Sequence, residues 1–168
     1  PSAPPPPCPG RPFAIPLFVL DSAATTGAPK CIVHGTGGAL IQHAKEHRLH
    51  GDQGADDVLF YFTTCGWMMW NWLVSGLQTG ATLVLYDGNP AYPDATRLFD
   101  VIDAEKITHF GTSAKFVQAV EKAGAVPRAS HDLSTLRTLY SPGPPLPHES
   151  FAFPYEKVTR DPRGSAIS

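Results

Sequence analysis

The chain has 168 residues, of which 42% are hydrophobic and 17% charged, with a net charge of −2. That length suffices for one domain with a real core. The balance of charge gives no basic field for nucleic acid or acidic membranes. No run of about eighteen apolar residues is present to span a bilayer. The three cysteines, Cys8, Cys31 and Cys65, have no paired spacing and fit reduced thiols in a cytoplasmic protein better than a disulfide framework. The start is Pro-rich, with neither the basic nor the apolar region of a signal peptide. It also lacks an initiator Met, so the chain is expected to begin inside a longer protein.

Residues 1–12 read as a disordered or polyproline II tail, and residues 13–168 as the folded part. From there strand-like and helix-like segments alternate. Leu17 to Leu20 is predicted as a short buried strand. Gly38 to His50 has helical character, with Leu40, Ile41, Ala44 and Leu49 as its apolar positions. Val58 to Phe62 is rich in β-formers. Trp67 to Leu77 is an apolar helix candidate broken at Gly80, and Ala81 to Tyr86 reads as a buried strand. Asp94 can cap a helix reaching Glu105, with Leu98, Val101 and Ile102 on one face. Ile107 to Phe110 is a strand, Ser113 caps a helix to Ala123, Leu136 to Leu139 is a last strand and Pro147 to Val158 a last helix. This alternation predicts an α/β fold with a mostly parallel sheet flanked by helices.

In such sheets ligands lie at the carboxyl ends of strands. Five loops are therefore of interest: Ser22 to Lys30, Thr63 to Trp67, Asp87 to Pro93, Gly111 to Ser113 and Ser141 to Pro147. The first, Ser-Ala-Ala-Thr-Thr-Gly-Ala-Pro-Lys, combines hydroxyls, a Gly and a Lys. Backbone N–H groups and hydroxyls in such a loop can point at phosphate oxygens while the ammonium supplies a point charge. The spacing is not that of a Walker A loop. His43-Ala44-Lys45-Glu46-His47 matches a short zinc-protease pattern. Lys45, Glu46, Arg48 and His50 crowd it, however, so it reads as a solvated helix surface and not as a metal site. Cys65 has no recognisable base partner for nucleophilic work.

Three strings carry a family resemblance: Thr25-Thr26-Gly27-Ala28-Pro29-Lys30-Cys31-Ile32-Val33-His34-Gly35, Phe62-Thr63-Thr64-Cys65-Gly66-Trp67-Met68-Met69-Trp70-Asn71-Trp72, and Gly80 to Pro90 with its Leu85-Tyr86-Asp87-Gly88. The chain resembles the acetoacetyl-CoA synthetase branch (acetoacetate–CoA ligases) of the acyl-adenylate-forming, AMP-binding superfamily. The likeness runs from about Arg11 to the end and covers only part of such an enzyme, without its C-terminal domain. It implies a ligase that uses ATP, magnesium and coenzyme A on acetoacetate, with small-molecule partners and neither nucleic acid nor a membrane span. By residue match, Ser22, Thr25, Thr26, Gly27 and Lys30 fall on the phosphate loop. Gly66, Trp67, Met68 and Met69 fall on the acyl-pocket segment, and Ser141, Gly143 and Pro145 on the adenine loop. No catalytic residue is assigned within this segment.

The sequence departs from the family pattern. Tyr-Ser-Ser-Gly-Thr-Thr-Gly is replaced by Asp21-Ser22-Ala23-Ala24-Thr25-Thr26-Gly27, which brings a negative charge and loses a Gly. The adenine loop gains Pro142 and Pro144, which remove two backbone donors. The isolated segment is expected to be inactive. Two alternatives stay open: another short-chain acyl-CoA synthetase, acetyl-CoA synthetase-like, or a non-catalytic pseudoenzyme remnant.

Overall fold

The computed structural model describes residues 10–22, 27–141, 150, 152–159 and 166–167. The chain forms two compact units, Pro1–His43 and Ala44–Ser168. The first contains an antiparallel hairpin of β1 (Pro16–Ser22) and β2 (Lys30–Gly35), in which Ser22 is opposite Lys30 and Leu20 opposite Ile32. Helix α1 (Thr36–Lys45) follows directly and carries the chain into the second unit. Its start is tied back by the Thr36 N–H and hydroxyl, both donating to the Ile15 carbonyl at 2.8 Å.

The hairpin corrects one expectation. The Leu17 to Leu20 stretch is a strand, but not a buried one: Val19 is 54% exposed and Val33, its partner, 60%. A two-stranded ribbon has no second layer of its own, so apolar β-formers alone do not bury it. It follows that the Ser22 to Lys30 segment closes a hairpin and does not leave the carboxyl end of a parallel strand. The segment from Cys31 to Gly35, read only as part of a motif, is the second strand.

The second unit is built on a parallel sheet of five strands: β3 (Val58–Tyr61), β4 (Thr82–Val84), β5 (His109–Gly111), β6 (Thr138–Tyr140) and β7 (Ala166–Ile167), in spatial order β4-β3-β5-β6-β7. Side chains on a strand alternate between faces. In β3, Phe60 points to one side and Leu59 and Tyr61 to the other, and each side has its own core. On the first side Phe60, Phe110 and Leu139 join α3 (Arg97–Ala104) and α4 (Ala114–Lys122) through Leu98, Phe99, Ile102, Val117 and Val120. On the second, Leu59, Tyr61 and Tyr140 join α2 (Met68–Ser75) through Trp72 and Leu73. The α/β fold with a mostly parallel, helix-flanked sheet is thus present.

Local chemistry explains the element ends. Ser113 accepts a hydrogen bond from the Phe116 N–H at 3.2 Å and caps α4, as its sequence position predicts. Asp94 bonds the Thr96 N–H and hydroxyl in a turn that precedes α3, whose cap position is Thr96 itself. After α2 a 3-10 turn, Gly76–Thr79, ends at Gly80 with φ of 87°, a left-handed conformation that suits glycine. The short helix α5 (Pro127–Ser130) was not anticipated. The helix expected from Pro147 to Val158 is described only in part, as a π-helical turn at Pro154–Val158.

Candidate active-site cleft

The strand order places the site. The chain passes from β3 to β4 on one side, then crosses to β5 on the other, so its winding reverses at β3. Right-handed crossovers then put α2 on one face and α3 and α4 on the other. The loops leaving the strands diverge at the reversal and leave a crevice beyond the carboxyl ends. A cleft of about 430 Å³ opens there, lined by residues 61–65 after β3, Trp70 and Leu73 of α2, and residues 85–88 after β4.

The floor of the cleft is apolar and aromatic: Tyr61, Phe62, Trp70, Leu73 and Tyr86. Its rim carries the Thr63 and Thr64 hydroxyls, the exposed Cys65 thiol and the Asp87 carboxylate. Burial pushes the Tyr61 phenol up to about 12, so it is neutral at physiological pH. Gly111, on the neighbouring strand, leaves room for that ring; a Cβ there would meet the Tyr61 ring. The cleft can therefore hold a short carbon chain against aromatic walls and offer the Thr64 hydroxyl at its mouth, the Thr63 hydroxyl donating to the Thr64 carbonyl.

The residues expected at the acyl pocket flank this cleft. Gly66 is exposed in the loop between Cys65 and α2. Trp67 is the residue before α2 and is 67% exposed, and Met68 is 50% exposed. Met69 is half-buried against the Leu59, Tyr61 and Trp72 cluster. None of the four lines the cleft, whereas Cys65 and Trp70 on either side of them do. The three tryptophans thus divide: Trp72 is core, Trp70 faces the cleft and Trp67 is exposed.

Of the expected phosphate-loop residues, Thr25 and Thr26 lie outside the described residues. Ser22 and Lys30 face each other across the hairpin, the Lys30 N–H donating to Ser22 Oγ at 3.4 Å. Gly27 between them has φ of 122°, a conformation that L side chains rarely adopt. Asp21 is the next residue on the strand and so projects from the opposite side to Ser22. It pairs in register with Cys31, and a hydrogen bond to that carboxylate, with its negative charge, raises the Cys31 thiol above its ordinary range. The unwelcome charge of Asp21 is therefore directed away from the Ser22 hydroxyl. Ser141 follows β6 and is buried, its hydroxyl without a hydrogen-bond partner. Gly143 and Pro145 lie outside the described residues.

The His43 to His47 stretch is a solvated surface only in part: Lys45, Arg48 and His50 are exposed, but His47 turns inward. His47 is fully buried, with Nδ1 at 3.2 Å from Gln53 Oε1 and Nε2 at 3.1 Å from both the Trp72 carbonyl and Ser75 Oγ. Those partners are hydrogen-bonding groups of the core. No cluster of three or more His, Cys, Asp or Glu among the described residues is placed to hold a metal ion. The cleft aromatics Tyr61 and Tyr86 were not singled out from the sequence as site residues. The signal for them was the position of their loops at strand ends.

A doubly wound sheet whose cleft opens at its switch point is one way to hold a nucleotide-activated acid. The family model of the AMP-binding enzymes matches residues 12–163, and the chain belongs to that family. Within it, the chain is 56% identical over 157 residues to an acetoacetyl-coenzyme A synthetase of Rhizobium meliloti (strain 1021), covering 94% of this chain and 24% of that protein. It is 50% identical over 157 residues to the acetoacetyl-CoA synthetase of Danio rerio, covering 94% and 23% respectively. The solved structure of acetoacetyl-CoA synthetase from Streptomyces lividans superposes with a TM-score of 0.83 at 46% identity, covering 88% of this chain and 23% of that one. The chain thus spans about a quarter of the length of these relatives. No helix among the described residues is long and apolar enough to cross a membrane.

Proposed function

We propose that this chain is a segment of an acid–thiol ligase that activates acetoacetate with ATP and passes the acyl group to coenzyme A. In the first step the carboxylate attacks the α-phosphorus of ATP; an acyl-adenylate forms and pyrophosphate leaves. In the second the thiol attacks the acyl carbon; the thioester forms, AMP leaves and the thiol proton is released. The difficulty of the first step is electrostatic, because one anion must approach another.

The segment's own contribution is binding and orientation. Ser22, Thr25, Thr26, Gly27 and Lys30 are assigned to the triphosphate, with the ammonium offsetting its charge. Ser141, Gly143 and Pro145 are assigned to adenine. Gly66, Trp67, Met68 and Met69 are assigned to the acyl group, beside the aromatic cleft. A neutral, aromatic wall suits the methyl and keto end of acetoacetate, and leaves the carboxylate directed outward to the nucleotide. Magnesium is assigned to the nucleotide substrate, where it reduces the charge of the triphosphate. The reading also places the protein in the cytoplasm and residues 13–168 in one partial AMP-binding domain.

The observation that carries this reading is 56% identity over nearly the whole chain to an acetoacetyl-coenzyme A synthetase. The test is made on the full-length protein that contains this segment. Incubation with ATP, coenzyme A and a panel of short-chain acids should give thioester and AMP fastest with acetoacetate. Preference for acetate would favour the acetyl-CoA synthetase-like alternative. Absence of AMP and thioester with every acid would sink the assignment. The isolated segment is expected to form no thioester.

A further inference from the structure

We infer that Trp72, held by Glu46 and His47, is a positioning residue for the acid-binding cleft. The inference rests on the function proposed above and goes beyond it by assigning the far end of α2 to substrate positioning. Trp72 touches neither the cleft nor, by this reading, any substrate. Its indole N–H donates to Glu46 Oε2 at 2.8 Å. The His47 ring lies 4.1 Å from the indole, centroid to centroid. The indole also meets Tyr61 edge-on at 5.9 Å, and Tyr61 lines the cleft. Trp72 thus contacts both a buried polar cluster and the cleft's floor.

That cluster has a defined hydrogen-bond direction. The Thr79 hydroxyl donates to the Gly76 carbonyl at 2.8 Å, so it accepts from Gln53 Nε2 at 3.0 Å. Gln53 therefore turns its oxygen to His47, whose Nδ1–H donates to it. His47 Nε2, the acceptor of the neutral ring, then lies 3.1 Å from the Ser75 hydroxyl, which is shared with the Trp72 carbonyl at 2.6 Å. His47 and Gln53 together thus join the segment before β3, the end of α2 and the turn before β4. Those three elements lead to the three walls of the cleft: residues 61–65, Trp70 with Leu73, and residues 85–88. A rotation of α2 about its axis would carry Trp70 and Leu73 out of the cleft wall. The indole N–H bond to Glu46 resists that rotation.

The experiment uses the full-length protein with ATP, coenzyme A and acetoacetate. Glu46→Leu removes the acceptor, Trp72→Phe removes the donor but keeps a ring, and Glu46→Gln keeps an acceptor oxygen. Glu46→Leu and Trp72→Phe should each raise KM for acetoacetate by about tenfold, with KM for ATP unchanged, and Glu46→Gln should stay close to wild type. Equal changes in both KM values, or a lowered melting temperature with both unchanged, would overturn the positioning role. If Glu46→Leu does not fold, Trp72→Phe against Glu46→Gln reads the same difference. A wild-type protein that forms no thioester overturns the proposed function, and this inference with it. An active wild type whose variants lack the selective effect overturns the inference alone.

Discussion

The two faces of the central sheet are built differently. Behind one lies a continuous apolar core, in which Phe60 and Phe110 stack at 5.6 Å and α3 and α4 supply aliphatic side chains. Behind the other, among the described residues, lies a smaller cluster of Leu59, Tyr61, Trp72, Leu73 and Tyr140, with Met69, Trp70 and Leu83 packed against it and the buried polar groups of His47, Gln53, Asp57 and His109 alongside. The first face is held by apolar area, which is tolerant of detail. The second is held by directed bonds, which fix orientation. The cleft at the strand ends draws on both, with Phe62 and Tyr86 packed against the first core and Tyr61, Trp70 and Leu73 belonging to the second, so its orientation is set by the directed bonds of the second face and its support is shared with the first.

Substitutions can break that division. The largest loss of stability is expected from Phe110→Ala in the apolar core, about 3–5 kcal/mol by chemical denaturation, with little selective change in KM for the acid. Gly111→Ala should destabilise less, by about 1–3 kcal/mol through overpacking against Tyr61, yet raise KM for the acid because that ring is displaced. A result in which Phe110→Ala alone altered acid binding would invalidate the division.

Acid should act mainly on the polar face. Burial lowers the His109 pKa, against opposing contributions from the Gly51 carbonyl and Asp57. The folded state thus prefers neutral His109, which donates from Nε2 to the Gly51 carbonyl at 2.7 Å. The unfolded state binds the proton more readily, so stability is full above an unfolded value of about 6.5 and falls as pH drops below it. Asp57 acts in the same direction further down. Burial works to raise its pKa, but the Gly54 N–H, Thr108, His109 and Arg137 outweigh that and lower it. Its contribution is present above an unfolded value of about 4 and is lost below it. Denaturation midpoints measured across this range should fall in two stages, and His109→Gln should remove the upper one. The smallest effect is expected from Ser113→Ala on the apolar face, about 1 kcal/mol from the lost cap of α4, with acid kinetics unchanged.

Much of the second unit was legible in its sequence. Val58 to Phe62 and Ile107 to Phe110 are β-rich runs between turn signals. Ser113 and Gly80 mark helix ends by mechanisms that operate locally, and they function as read. The hairpin was not legible, because four apolar residues in a row do not say whether anything covers them. His47 was misread for the complementary reason. Its sequence neighbours are charged, but its structural neighbours come from residues 53, 72 and 75, beyond the reach of local patterning. The cleft was foreseen as a set of loops and not as a set of side chains, since Tyr61 and Trp70 read equally well as core.

The Asp21–Cys31 pairing has a practical consequence. Alkylating reagents attack the thiolate, and Asp21 keeps Cys31 in its thiol form to higher pH than usual. At neutral pH such a reagent discriminates against Cys31. Cys65 is exposed at the cleft mouth. A fluorophore attached there would report events in the cleft from its edge, with the hairpin left unlabelled.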